Sequence, residues 1–190
     1  MKKLILLIIT TLQFNGGFAQ PPDIKFKHLT TDDGLSHSYV KSVYRDSYGY
    51  VWFGTANNGL NKYDGSQFTV YKYNPGNVNS LPSSGINVIR EDDNKRLWIG
   101  TDRGLSFFNR NLNCFTSIPE TKNIYVNGIY VLENGNLFLI SNTLYSCIFR
   151  QDMLKFMCNR AGYYVDNKIN YDMVQYRNHI VVHITYVGLF

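Results

Sequence analysis

Apolar and polar residues alternate along this chain in short runs, and the runs recur. Val40, Ile86, Val126 and Ile169 each open an alternating segment, and each lies 12 residues before a second apolar run at Trp52, Trp98, Phe138 and Val181. Turn formers separate the two runs: Asp46-Ser-Tyr-Gly49, Asp92-Asp-Asn-Lys95 and Glu133-Asn-Gly-Asn136. Period-2 alternation around a polar turn predicts strand, tight turn, strand. The i, i+3, i+4 spacing that a packed helix needs is absent from these segments.

The second run carries its own signature. Val51-Trp-Phe-Gly-Thr-Ala-Asn-Asn-Gly-Leu60 and Leu97-Trp-Ile-Gly-Thr-Asp-Arg-Gly-Leu105 match on sight, with Trp52 and Trp98 46 residues apart. Weaker copies follow at Leu137–Leu144 and Ile180–Leu189, where Ile140 and His183 stand for the Gly and Ser141 and Ile184 for the Thr. A further hairpin follows each Gly-Leu. In the first unit Asp64-Gly65 is the turn between Leu60–Tyr63 and Gln67–Tyr71. The aromatic that ends it, Phe68, Phe115 and Phe156, lies 8, 10 and 12 residues after its Leu. Steps of two preserve the face a strand residue occupies, where a step of one would reverse it.

Each unit is therefore four antiparallel strands in about 40 to 46 residues, the period of a β-propeller blade. A single blade cannot cover both of its faces and must be sandwiched by neighbours. The predicted fold is all-β: a partial β-propeller of four-stranded antiparallel blades, about three blades plus part of a fourth. Blade 1 is expected at 39–80, blade 2 at 81–120, blade 3 at 121–162 and a partial blade 4 at 163–190. Residues 20–38 form an N-terminal segment. Within it 24–30 is expected as an outermost strand that closes the ring, since Phe26–Leu29 precedes Val40 as Phe68–Tyr71 precedes Ile86. The chain then reads as the N-terminal piece of a larger propeller.

Composition agrees with a packed β protein. The 190 residues are 44% apolar and 17% charged, with 15 Tyr, 12 Phe and 2 Trp, which excludes a disordered chain. Residues 1–19 read as a signal peptide: Lys2-Lys3, a short apolar stretch from Leu4 to Leu12, and Gly17-Phe18-Ala19 before the cut. The stretch is too short to span a bilayer. The expected location is the periplasm. Without Lys2 and Lys3 the chain has 17 basic and 14 acidic residues, and the basic ones are scattered singly apart from Lys95-Arg96, so no nucleic-acid contact is expected. Three cysteines in an oxidising compartment leave at least one unpaired. Cys147 and Cys158 flank a predicted hairpin and could bridge, although three small buried hydrophobes is the favoured reading.

The first two units resemble the two-component regulator propeller repeat. Its pattern is an acidic turn, aromatic-apolar-Gly-Thr, Gly-Leu and a final aromatic. Here it reads Asp46, Trp52-Phe-Gly-Thr55, Gly59-Leu60, Phe68, and again Asp92, Trp98-Ile-Gly-Thr101, Gly104-Leu105, Phe115. The opening Phe26–Ser36 followed by Val40 is similar to the start of the periplasmic sensor region of Bacteroidetes hybrid two-component systems. The resemblance implies an oligosaccharide-sensing region that signals to a histidine kinase outside this chain. It also implies further blades and sensor domains, an inner-membrane anchor, a phosphorelay and a possible homodimer of the full-length protein.

Candidate chemistry is sparse. His179 and His183 share a strand face, but spacing places no third metal ligand beside them, and neither a metal nor a cofactor is expected. Asp32-Asp33 and Asp92-Asp93 sit in turns, where adjacent side chains diverge. No nucleophile elbow, phosphate loop or metalloprotease motif occurs, so catalysis is not expected of this chain. Trp52 and Trp98 are assigned to packing between blades rather than to sugar stacking. Thr55 and Thr101 are assigned to backbone bonds at the strand ends. The ligand-binding candidates are loop residues at the end of the ring where second and third strands join: Asn57, Asn58, Asp102 and Arg103. The connection before blade 1 adds His37 and Tyr39 at that end. Amides, Asp and Arg suit sugar hydroxyls, and loops on a rigid scaffold commonly carry binding. A propeller enzyme of the streptogramin lyase-like type and a non-catalytic interaction scaffold remain as alternatives.

Overall fold

The computed structural model describes residues 26–131, 136–141, 143–150, 155–164, 169–176 and 179–186, with side chains described only as far as Ser141. The signal segment at 1–19 therefore lies outside the described residues. Strands β1 (Val40–Arg45), β2 (Val51–Thr55), β3 (Leu60–Tyr63) and β4 (Phe68–Tyr71) form one four-stranded sheet. A second comprises β5 (Ile86–Glu91), β6 (Leu97–Thr101), β7 (Gly104–Asn109) and β8 (Cys114–Ser117). The third comprises β9 (Gly128–Val131), β10 (Asn136–Ile140), β11 (Thr143–Arg150) and β12 (Lys155–Tyr164). A two-stranded ladder, β13 (Ile169–Tyr176) with β14 (His179–Tyr186), follows. Every pairing is antiparallel between sequence neighbours, and no α-helix occurs among the described residues. Among the described residues no helix is long and apolar enough to cross a membrane.

The first strands β1, β5 and β9 lie side by side, so the three sheets radiate from a common inner edge as propeller blades do. Apolar layers fill the spaces between them. Trp52, Leu60, Leu81, Ile86, Ile89, Ile99 and Phe115 join blades 1 and 2, and Val88, Trp98, Leu105, Val126, Ile129 and Leu139 join blades 2 and 3. Both tryptophans are 0% exposed. Each indole donates to the acidic turn of its own blade: Trp52 Nε1 to Asp46 Oδ2 at 2.8 Å and Trp98 Nε1 to Asp92 Oδ2 at 2.9 Å. A buried indole N–H needs such a partner, which explains why the Asp and Trp keep a six-residue spacing in both copies.

The Gly of the Gly-Thr pair allows the blades to approach. A Cβ on Gly54 would lie 2.6 Å from Ile86 Cγ2, and one on Gly100 would lie 2.7 Å from Val126 Cγ1. In blade 3 this position is Ile140, and the small residue has moved to its ladder partner. Val88 pairs with Gly100 in blade 2, whereas Gly128 pairs with Ile140 in blade 3. The exchange roughly conserves volume across the pair, which cores tolerate best.

Blade 1 has one neighbour among the described residues. Ile89 and Ile99 of blade 2 are 0% exposed and Phe115 is 2% exposed, because blade 1 covers them. Their counterparts on blade 1 are Val43, 57% exposed, with half-buried Phe53 and Phe68.

Of the closing strand expected at 24–30, residues 24 and 25 lie outside the described residues, while residues 26–30 join no ladder among the described residues and Phe26 is 92% exposed. The N-terminal segment docks onto blade 1. The Lys27 ammonium donates to the Tyr63 hydroxyl, and the Ser36 amide donates to Asn61 Oδ1 at 2.8 Å. Among the cysteines, Cys114 is free and half-buried, while Cys147 and Cys158 are paired backbone positions of the β11–β12 ladder.

Candidate functional site

The end of the ring where second strands meet third strands is shaped by two near-identical turns. Thr55 Oγ1 donates to the Gly59 carbonyl at 2.8 Å and accepts from the Asn58 amide at 3.1 Å. Thr101 Oγ1 donates to the Gly104 carbonyl at 2.8 Å and accepts from the Arg103 amide at 3.1 Å. Each hydroxyl thus staples its loop shut. Gly59 has φ of 90°, and a Cβ there would sit 2.1 Å from the Tyr71 carbonyl, so no other residue fits.

The structure brings His37, Tyr39, Asn57 and Asn58 to the blade 1 turn. The Ala56 amide donates to the Tyr39 carbonyl at 3.1 Å, and His37 Nδ1 accepts from the Tyr39 amide at 2.9 Å. Asn58 is occupied structurally: its Nδ2 donates to the Ser36 carbonyl at 2.9 Å and its carbonyl accepts from Ser36 Oγ at 3.0 Å. Asn57 and Tyr39 are exposed.

Asp102 and Arg103 occupy the equivalent turn of blade 2 but face different surroundings. Asp102 Oδ1 accepts from Asn87 Nδ2 at 3.0 Å, and its amide donates to the Gly85 carbonyl at 3.1 Å. A Cβ on Gly85 would lie 1.8 Å from Asp102 Oδ2 and 2.9 Å from the Ala56 carbonyl, so Asp102 is wedged against the blade 1 turn. Exposed Arg103 instead lines an open cavity of about 300 Å³ with Tyr73, Pro82, Pro119 and Lys122. The buried tryptophans offer no ring to a ligand. His179 and His183 lie in β14, and their side chains are outside the described residues. No group of three or more His, Cys, Asp or Glu could hold a metal ion among the described residues.

Sequence reasoning missed a row of residues on the inner strands. The β1–β2 register skips between Val40 and Ser42, and the β5–β6 register skips between Ile86 and Val88, so Lys41 and Asn87 occupy bulges. Lys41 Nζ donates to Asn87 Oδ1 at 2.9 Å, and Tyr125 OH approaches the same oxygen at 3.3 Å. The signal was present: Val40 and Val43, Ile86 and Ile89, and Val126 and Ile129 are apolar pairs three apart, a spacing that strict alternation forbids and one inserted residue produces.

Comparison with known proteins locates these features. Residues 34–57 and 80–103 match the two component regulator propeller family model. A 63-residue stretch is 43% identical to histidine kinase P4 of Formosa agariphila, covering 33% of this chain and 4% of that one. The fold is similar to the extracellular domain of a hybrid two component system from B. thetaiotaomicron, with a TM-score of 0.63 and 21% identity over 85% of this chain and 26% of the other. A second such domain from the same organism gives a TM-score of 0.59 and 17% identity over 90% of this chain and 22% of that one. The chain spans about a quarter of the length of these domains. The matched segments cover β1–β2 and β5–β6, so the two stretches similar to the two component regulator propeller model are equivalent in structure, each forming the inner strand pair of one of the first two blades.

Proposed function

We propose that this chain is the N-terminal part of the ligand-sensing region of a membrane-anchored hybrid two-component regulator. In this proposal residues 1–19 direct export and the blades stand in the periplasm. An oligosaccharide bound by the completed propeller region changes its arrangement, and the change reaches a cytoplasmic histidine kinase through the membrane. Blade limits of 39–80, 81–120, 121–162 and 163–190 belong to the same proposal, as do the remaining blades and a homodimer of the full-length protein. The observation that carries it is the position of the two matched repeats in adjoining blades of a fold similar, over most of this chain, to extracellular domains of two component systems.

The proposal assigns no catalytic step to the chain. Binding is tested by calorimetry of the intact protein against a panel of oligosaccharides, and signalling by kinase autophosphorylation in vesicles with and without the binder. A binder that changes phosphorylation supports the proposal; a panel without a binder argues against it. A propeller lyase would instead consume the oligosaccharide, which chromatography of the incubated mixture detects.

A further inference from the structure

We propose that the bulge residues Lys41 and Asn87, with Tyr125 and Asp102, form a subsite for one neutral sugar unit on the inner wall of the ring. The inference rests on the oligosaccharide reading above and specifies where and how one unit is held.

A β-bulge removes one residue from the ladder and re-aims its side chain. The bulge falls at the same place in blades 1 and 2, directly after the apolar residue that opens the first strand. In blade 3 the equivalent residue is Asn127, which precedes the first ladder pair, Gly128 with Ile140, and whose amide donates to the Ile140 carbonyl at 2.6 Å. Because β1, β5 and β9 adjoin, these positions form a polar row along the inner edge.

The side chains of the row meet across blades. Asn87 is the hub: its Oδ1 accepts from Lys41 Nζ at 2.9 Å and lies 3.3 Å from Tyr125 OH, while its Nδ2 donates to Asp102 Oδ1 at 3.0 Å. Lys41 Nζ lies 3.5 Å from Tyr125 OH and 6.0 Å from the centre of its ring. Three consecutive blades thus contribute to one cluster.

Its chemistry suits a polyol. Sugar hydroxyls both donate and accept, and the cluster offers an ammonium, a primary amide, a phenol and a carboxylate. Tyr125, 38% exposed, presents part of a ring to the apolar C–H face of a pyranose. The base is fixed, since Asp102 is wedged against Gly85. The rim is open, since Lys41 and Tyr125 are exposed. One cation and one carboxylate leave no net charge to select an anion, so the occupant is neutral. The cavity beside Arg103 and Lys122 is the cationic alternative, and it serves as the control.

The test uses the intact protein and saturation-transfer NMR, with glucose, galactose, mannose, xylose and arabinose and their short oligomers as probes, alongside glucuronate and galacturonate. The expected result is binding of a neutral sugar, weakened about tenfold or more by Lys41→Ala and by Asn87→Ala and changed less than about twofold by Arg103→Ala. Lys41→Ala should leave the melting temperature unchanged, which a merely structural role for the row would not combine with lost binding. If a neutral sugar binds and both row variants bind it equally well, the subsite is wrong while the oligosaccharide reading survives. Preference for the uronates, lost in Arg103→Ala, overturns the subsite in favour of the cationic cavity. Absence of binding by every probe overturns both.

Discussion

Arg110 joins blade 2 to blade 1, and its removal should be costly. Its Nη1 lies 2.8 Å from Asp46 Oδ2 and its Nη2 lies 2.8 Å from Glu91 Oε1, with side-chain exposures of 18%, 0% and 6% respectively. Its Nε donates to the Lys95 carbonyl at 3.2 Å, and the guanidinium lies 4.3 Å from the centre of the Tyr48 ring. Arg110→Met keeps most of the stem and removes the charge. Deleting one partner of a buried pair costs about 3–5 kcal/mol, because the remaining charge stays desolvated. Asp46 retains three donors, the amides of Tyr48 and Tyr50 and the Trp52 indole. Glu91 retains the amide and hydroxyl of Ser47. These contacts hold the penalty near the lower limit, at about 3 kcal/mol, still a large share of a typical domain's stability. Urea unfolding of the intact protein measures it, with hydrogen exchange at the Tyr48 and Tyr50 amides reporting on the clamp itself. A cycle with Asp46→Asn should give a coupling of about 1–3 kcal/mol. A loss below about 1 kcal/mol, or additivity with Asp46→Asn, would refute a buried clamp between blades and reduce Arg110 to a surface ion pair.

The remaining predictions are local. Gly85→Ala places a Cβ on top of Asp102 Oδ2 and should destabilise the protein by about 1–3 kcal/mol while weakening sugar binding, read by melting and by the NMR titration. Ser106 Oγ is buried with no hydrogen-bond partner among the described residues, so Ser106→Ala should leave stability unchanged or raise it by about 1 kcal/mol in urea unfolding; a loss would reveal a missing partner. Asp64 accepts from the amides of Gln67 and Ser66 in the β3–β4 turn, which lowers its pKa from 3.8 to about 2. A folded pKa below the unfolded one gives stability that is present above about pH 4 and lost as pH falls through about 2. A carboxyl NMR titration of Asp64 with its midpoint near 4 would contradict the turn geometry.

Much of the architecture was legible because a blade repeats its physical requirements. The 12-residue spacing from Val40 to Trp52, and from Ile86 to Trp98, is the length of a strand, a tight turn and half a second strand, and the structure pairs those strands. Phe68, Phe115 and Phe156 pair with Tyr63, Phe108 and Phe149, which lie 3, 3 and 5 residues after their Leu, so the offset stays odd while the hairpin lengthens. What escaped was whatever depends on a neighbour. The Asp46–Trp52 bond is visible only as a spacing until the indole is seen to be buried. Ile140 looked like a lost Gly because its compensation, Gly128, lies on another strand. Arg110 meets Asp46 from 64 residues away, across a blade boundary. At the candidate site, the loop residues were found by composition, whereas Lys41 and Asn87 were hidden inside runs read as plain strands. The bulge betrayed itself only as an apolar pair three apart.

These repeats are blades stacked around one axis, each covering the face of the next. A crystal structure of the whole sensor region decides this. Stacked blades require Gly54 packed on Ile86, Gly100 packed on Val126, and the face of blade 1 bearing Val43, Phe53 and Phe68 covered by a further sheet. A structure in which that face stays open to solvent, or in which β1, β5 and β9 do not adjoin, would contradict it.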